Sequence, residues 1–334
     1  MVLKYDKMRK TLVYLVLAHS FIAHSQYWQQ KVDYKMTVSL DVETADYSGK
    51  QTLQYTNNSP ETIFKVFYHL YFNAFKPGSE MAIQLKNSPD KNTRFKVNLD
   101  SLTKAEQGLL KVYDITQDGE AVLTVDSETI LEVTLNKPIP PGGTTKLDLK
   151  FKGHVPNVIR RSGKNSKEGV AFSMAQWYPK LAEYDLEGWN ADPYIGREFH
   201  GVWGDFDVKI TLDKRFIVAA SGYLQNAEDI GMGYSKRKRP KSKNGKITWH
   251  FLAPKVHDFT WAADKDYIHD VYPGPNNVDL HFFYKNDPKI IDNWKKLQPH
   301  TARMMEYFNN KIGPYPYNQY SVVQGGDGGM EYAM

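Results

Sequence analysis

The chain has 334 residues, room for about two domains at roughly 150 residues each, with 41% hydrophobic and 24% charged residues. That composition excludes a disordered, collagen-like or polytopic membrane chain, and the complete lack of cysteine excludes disulfides, thiol catalysis and cysteine-held metals. The net charge of +5 is local, because residues 1–25 carry +3 and residues 236–246 hold seven basic and no acidic side chains, which leaves −5 for everything else.

The chain opens with Lys7, Arg9 and Lys10, an apolar stretch over 11–23, and Ala23-His24-Ser25 before Gln26. Basic, apolar and small residues in that order predict a secretory signal over 1–25, with an apolar run too short to span a bilayer. The mature chain is expected to begin near Gln26, to be exported to the periplasm or the exterior, and to have no stable membrane insertion after cleavage. With no cysteine to acylate or cross-link, it would depend on its core alone.

From Tyr34 the pattern alternates: Tyr34, Met36, Val38, Leu40 and Val42 are apolar, with Lys35, Thr37, Ser39, Asp41 and Glu43 between them, as in a half-buried strand. Further strand-like runs lie at 49–55, 63–71, 122–125, 130–135, 146–151, 206–212 and 247–252, separated by turn clusters such as Asn57-Asn58-Ser59-Pro60 and Pro140-Pro141-Gly142-Gly143. Short strands at this spacing predict an all-β sandwich or saddle of mostly antiparallel sheets over roughly 30–260. The basic run 236–246 falls between two of these strands and contains turn residues. It reads as a solvated hairpin loop, so no nucleic-acid partner is expected.

Near Ala262 the texture changes. A strand over 278–284 is followed by Asp287-Pro288, an N-cap and first-turn proline, and then by Ile290, Ile291, Trp294 and Leu297 at helical spacing. Pro299 is expected to kink or split this helix. A second helical segment with Met304, Met305 and Phe308 ends at Gly313-Pro314, and 320–324 reads as one more strand before a glycine-rich end. The helical stretch 287–311 keeps an apolar side with no evident layer to cover it.

Chemistry-bearing motifs are sparse. None of the ten histidines is followed by glutamate, so the H-E-x-x-H arrangement of a zinc hydrolase is absent, as is a G-x-S-x-G elbow. Gly325 to Gly329 lacks the Lys-Ser/Thr of a phosphate cradle and, taken alone, is a tight turn.

The run Gly328-Gly329-Met330-Glu331 after a Tyr-Ser-Val-Val strand resembles the G-x-M-E-N motif of the aminopeptidase N family of zinc metallopeptidases, the gluzincins. Upstream segments resemble the same family in the same order: Met174-Ala175-Gln176-Trp177-Tyr178-Pro179-Lys180, Gly196-Arg197-Glu198-Phe199 with Trp203-Gly204-Asp205-Phe206-Asp207, His257 to Ala262, and Gly313-Pro314-Tyr315-Pro316-Tyr317. The family's asparagine is Tyr332 here, which puts that residue's contact in doubt. The resemblance implies a mainly β fold: a signal peptide at 1–25, a β-saddle domain over 26–262, and the beginning of an α/β thermolysin-like domain over 263–334. It implies an N-terminal portion of an exported zinc aminopeptidase, with one zinc ion whose ligands are expected C-terminal to Met334. By itself the portion is then expected to be inactive, with no catalytic or metal-ligating residue of its own and with the C-terminal catalytic half as its missing partner.

The implied substrate is a peptide with a free N-terminus. Glu331 would accept a charge-assisted hydrogen bond from the terminal amine, Gly328, Gly329 and Met330 would let the peptide lie along the backbone, and Gln176 would help bind the first residue from the β-domain side. The alternative is a non-catalytic secreted β-rich module for peptide or glycan, with Trp177, Tyr178, Trp189, Tyr194 and Trp203 as its recognition surface.

Overall fold

The computed structural model describes residues 27–87, 97–157, 159, 162–195, 200–237 and 240–326. The expected signal segment, Gly196 to Phe199 and the glycine turn from 327 to Glu331 therefore lie outside the described residues.

The alternating segment is a strand over Lys31–Leu40 that buries Val32, Tyr34, Met36, Val38 and Leu40 and turns the residues between them outward. A tight turn, in which Asp41 Oδ1 accepts the N–H groups of Glu43 and Thr44, reverses the chain into Asp46–Thr56. These two strands sit in the middle of an eight-stranded sheet. Its order is Tyr223–Leu224, Lys246–Val256, Gly204–Asp213, Lys31–Leu40, Asp46–Thr56, Thr144–His154, Leu109–Gln117 and Glu120–Ala121.

All its pairings are antiparallel except one. Gly204–Asp213 runs parallel to Lys31–Leu40, a pairing that needs a long return path, here the whole excursion through the other sheets. Gly204 opens that strand so close to its neighbour that a Cβ there would stand 1.7 Å from the Val32 carbonyl oxygen.

Two four-stranded sheets face the large one. The first has the order Ile217–Ala220, Trp261–Asp264, Phe172–Met174, Gly163–Lys164, and the second Lys180–Leu181, Ile63–His69, Ile130–Ile139, Leu123–Ser127. One apolar core joins the three, with Tyr34, Tyr47, Phe151, Trp177, Phe206 and Trp261 at its centre. Rings there meet edge-on or offset at 4.7–6.4 Å, the arrangement the aromatic quadrupole favours. The fold is thus the mainly β, saddle-like architecture expected.

The chain leaves through Trp261–Asp264 into a three-stranded sheet of Tyr267–Pro273, Asp279–Lys285 and Gln319–Val323, the last parallel to the second. The helix Pro288–Lys311 fills the crossover. Asp287 caps it by accepting the Lys289 N–H at 2.9 Å, with Pro288 in the first turn. This unit has a small core of its own, Val278, Leu280, Phe282, Tyr284 and Met305. A second cluster, Val170, Ala219, Ala262, Tyr267 and Phe283, ties it to the β region.

The expected break at Pro299 does not divide the helix, which runs as one element through it. Pro299 deprives the Lys295 carbonyl of its partner, but tertiary contacts hold both sides. Trp294 stacks on Tyr284 at 5.0 Å and Gln298 donates to Asp270 before the proline, and Thr301 and Met305 are buried after it. Leu297, Met304, Tyr307 and Phe308 remain exposed on the outer side. Among the described residues no helix is long and apolar enough to cross a membrane.

Candidate functional site

The segment 174–182 is buried at every position. It is not a continuous strand. Phe172–Met174 and Lys180–Leu181 belong to different small sheets, and the residues between them carry the chain from one to the other. Side chains fix this passage by binding its backbone: Ser162 Oγ donates to the Ala175 carbonyl at 2.5 Å, Tyr47 Oη to that of Trp177 at 2.7 Å, and Gln51 Nε2 to that of Pro179 at 2.8 Å. The Leu181 N–H is accepted by Tyr34 Oη at 2.9 Å.

Below the passage lies a buried charge pair. Lys180 Nζ stands 2.7 Å from Asp258 Oδ2, and Asp258 Oδ1 accepts from Tyr178 Oη at 2.7 Å and from the Phe259 N–H at 2.8 Å. Trp177 Nε1 donates to the Phe259 carbonyl at 3.1 Å. The segment that resembles the family's reach into the active site is therefore locked onto the segment that resembles its domain junction, His257 to Ala262.

Gln176 sits where the passage turns. Its φ is +57°, a left-handed conformation that costs a residue with a Cβ about 1–2 kcal/mol. Only 1% of it is exposed. Tyr194 Oη donates to Oε1 at 3.3 Å, while the Nε2 amide has no partner among the described residues. An unsatisfied buried donor costs about 1–3 kcal/mol, so backbone strain and an unspent hydrogen bond coincide at one residue. Tyr194 in turn packs edge-on against Tyr71 at 4.9 Å, and Tyr71 stacks on His69 at 5.0 Å.

The electrostatics are those of a dry site. Burial pushes His69 down to about 4, against a hydrogen bond from Nε2–H to the Asn190 carbonyl at 3.0 Å, and lowers His257 as well. Burial, then the nearby Asp185 carboxylate, pushes Glu183 up to about 7.

Gly328, Gly329, Met330 and Glu331 lie outside the described residues, but the chain that leads to them is well anchored. The Gln324 N–H donates to the Phe283 carbonyl, its Oε1 accepts the Lys285 N–H, and its carbonyl accepts from Tyr267 Oη at 2.6 Å. Gly325 then lies against strand Phe172–Met174, where a Cβ on it would be 3.8 Å from Ser173 Oγ. Gly325 thus lies beside Ser173, three residues before Gln176 in the sequence. Upstream, Tyr317 Oη donates to the Lys255 carbonyl and Tyr223 Oη accepts the Asn318 N–H, which fastens the Gly-Pro-Tyr-Pro-Tyr segment to the β region.

Among the described residues no three His, Asp or Glu side chains gather so as to hold a metal ion. The described residues do not fit a zinc ion. The aromatic surface that a binding module would need is largely core: Trp177, Tyr178 and Tyr194 are buried and Trp189 is half-buried, leaving Trp203 exposed against His257. The described part of the basic run is an exposed connection in which Arg237 Nε donates to the Glu228 carbonyl and Lys241 pairs with Asp229. Sequence reasoning missed His69 and Tyr71, since neither lies in a motif and only the fold brings them beside Tyr194.

No family model and no curated protein matches the sequence. Among solved structures, a point mutant of the M1 zinc metallopeptidase from Deinococcus radiodurans is similar over 88% of this chain and 56% of its own, at 19% identity and a TM-score of 0.52. The mutant bound to a Tyr-Ser-Ala substrate gives the same coverage at 18% identity and 0.53, and a two-domain M1 mutant bound to L-arginine gives 18% and 0.51. At these identities the likeness establishes the fold. The chain spans a little over half the length of these structures.

Proposed function

We propose that this chain supplies the substrate-facing β region and the opening of the catalytic unit of an exported zinc-dependent aminopeptidase. The observation that carries the reading is Gln176. It is a buried glutamine in a left-handed backbone, with an amide that has no partner among the described residues, two residues past the strand Phe172–Met174 against which Gly325 lies. The similarity of fold to M1 zinc metallopeptidases, one of them holding a peptide, supports it.

In this reading Glu331 would accept from a substrate amino terminus, and Gln176 would help bind the first residue from the β-domain side. The terminal amine is largely protonated near neutrality, with a pKa of about 7.7–8.0. A carboxylate shielded from water would hold it by about 1.5–3 kcal/mol. Glycines at 328 and 329 leave room for an extended peptide to lie along the backbone. The described residues would contribute substrate binding rather than metal ligation; zinc held elsewhere in such an enzyme would supply Lewis-acid chemistry.

The test is to read the coding sequence beyond codon 334 for H-E-x-x-H, and to assay the encoded protein on aminoacyl chromogenic substrates. Chelator-sensitive release from free, but not N-acetylated, substrates is expected. Gln176→Ala should raise KM about tenfold. A stop codon at 335, or release indifferent to chelator, overturns the proposal.

A further inference from the structure

Away from Gln176, three side chains form a chain of proton contacts where the end of strand Thr144–His154 meets Gly163–Lys164. His154 Nδ1 stands 2.7 Å from Asp46 Oδ1, and His154 Nε2 stands 3.0 Å from Lys164 Nζ. The Asp46 contact places a hydrogen on Nδ1 and leaves the Nε2 lone pair facing the lysine. The same Nε2 also lies 3.1 Å from the Ala105 carbonyl oxygen, which can only accept. A neutral imidazole thus opposes that carbonyl with a lone pair, whereas an imidazolium donates to Asp46 on one side and to Ala105 on the other. Nε2 is thus the ring nitrogen within reach of the Lys164 ammonium.

The imidazole is largely enclosed, with 18% of its side chain exposed, and Asp46 faces solvent at 64%. Lys164 is half-buried, and its backbone is held by its N–H to the Pro156 carbonyl. Burial lowers its pKa, with the Asp46 and Glu106 carboxylates opposing. The Glu106 carboxylate accepts from Thr103 and Asn157.

We propose that Lys164 is a site of acyl modification, a lysine nucleophile served by His154 as general base and by Asp46 as the group that orients the imidazole, reactive toward activated acyl donors of the acyl-phosphate class. The lysine ammonium gives one proton to Nε2, and its freed pair attacks the acyl carbon. As the C–N bond forms, the C–O bond to phosphate breaks and its electrons leave with the phosphate. The departing phosphate takes a second nitrogen proton, and the product is a neutral amide. This site stands independently of the peptidase reading.

The 334-residue chain is incubated with limiting acetyl phosphate, and acetyl occupancy at each lysine is followed by peptide mass spectrometry. A positioned base typically contributes 10²-fold or more, so Lys164 should acylate at least about tenfold faster than the exposed strand lysines Lys35, Lys111 and Lys209. Asp46→Asn, at an exposed carboxylate, and His154→Gln should each bring Lys164 to the reference rate while the references stay unchanged. A Lys164 no faster than the references in the unmutated protein overturns the proposal. So does an unchanged Lys164 rate in Asp46→Asn, which does not depend on His154→Gln folding.

Discussion

Lys180 and Asp258 meet at 2.7 Å with side chains 2% and 0% exposed, and they join the passage that carries Gln176 to the strand leaving the β region. Both ions have been taken from water, so each depends on the other and on the Tyr178 hydroxyl and Phe259 N–H that complete the carboxylate's shell. Asp258→Asn removes the negative charge beside the buried ammonium and is expected to cost about 3–5 kcal/mol. Replacing both by apolar residues, Lys180→Met with Asp258→Leu, should cost less than the single change. Urea unfolding of the three proteins checks the order, and a single mutant within about 1 kcal/mol of the parent would show the pair to be solvated.

Acid should destabilise the fold through histidine. His69 and His281, held down to about 4, and His269, held down to about 3, all have burial as the leading cause. His269 and His281 also touch, Nε2 to Nδ1 at 2.9 Å. Each is neutral when folded and gains a proton on unfolding below about 6.5. Their contribution is present above that value and is lost as pH falls toward 4 and 3. Melting temperature should drop steadily from pH 6.5 to 4, and a flat profile there would contradict these assignments.

Glu183 runs the other way. Its folded pKa of about 7 lies above the unfolded value, so its contribution is complete below about 4.5 and is lost as pH rises through 7. Glu183→Gln should therefore raise the melting temperature more at pH 7.5 than at pH 5. Equal shifts at both would mean that the carboxyl is ionised in the fold.

The strand Lys31–Leu40 was legible because one of its faces is wet, which writes burial into the sequence as alternation. Its parallel partner was not, since which strand lies beside it is decided by the path of the intervening 160 or so residues, and local pattern carries no record of that. Trp261–Asp264 is buried at all four positions and Leu123–Ser127 at none, so neither alternates; the first fell inside a motif, and the second was met in part by the strand-like run 122–125. At the site, resemblance singled out Gln176 but not its left-handed backbone, its burial or its pairing with Tyr194, all of which arise from contacts across the fold. For the same reason Pro299 does not split its helix, the local rule being overridden by Trp294, Gln298 and Met305 packing on the sheet.

That override has a measurable cost. Pro299→Ala restores an N–H to the Lys295 carbonyl, a gain of up to about 3 kcal/mol, less about 0.4–1 kcal/mol for the extra freedom of the unfolded chain. A net stabilisation of about 2 kcal/mol is expected in urea unfolding. No gain would mean that the helix has already adapted fully around the proline.

Gln176 offers the sharpest separation of fold from function. Gln176→Gly removes the left-handed strain, worth about 1–2 kcal/mol, together with a buried unsatisfied amide worth about 1–3 kcal/mol. It also deletes side-chain packing and the Tyr194 contact. Since the first two terms favour glycine, the mutant should be no less stable than the parent in urea unfolding, and a residue selected only for structure would not be a glutamine here. If the proposed peptidase reading holds, the same change should raise KM for free-amine substrates while leaving the melting temperature unchanged or higher. If Gln176→Gly unfolds readily, the side chain is serving the core, and its proposed role in substrate binding loses its physical basis.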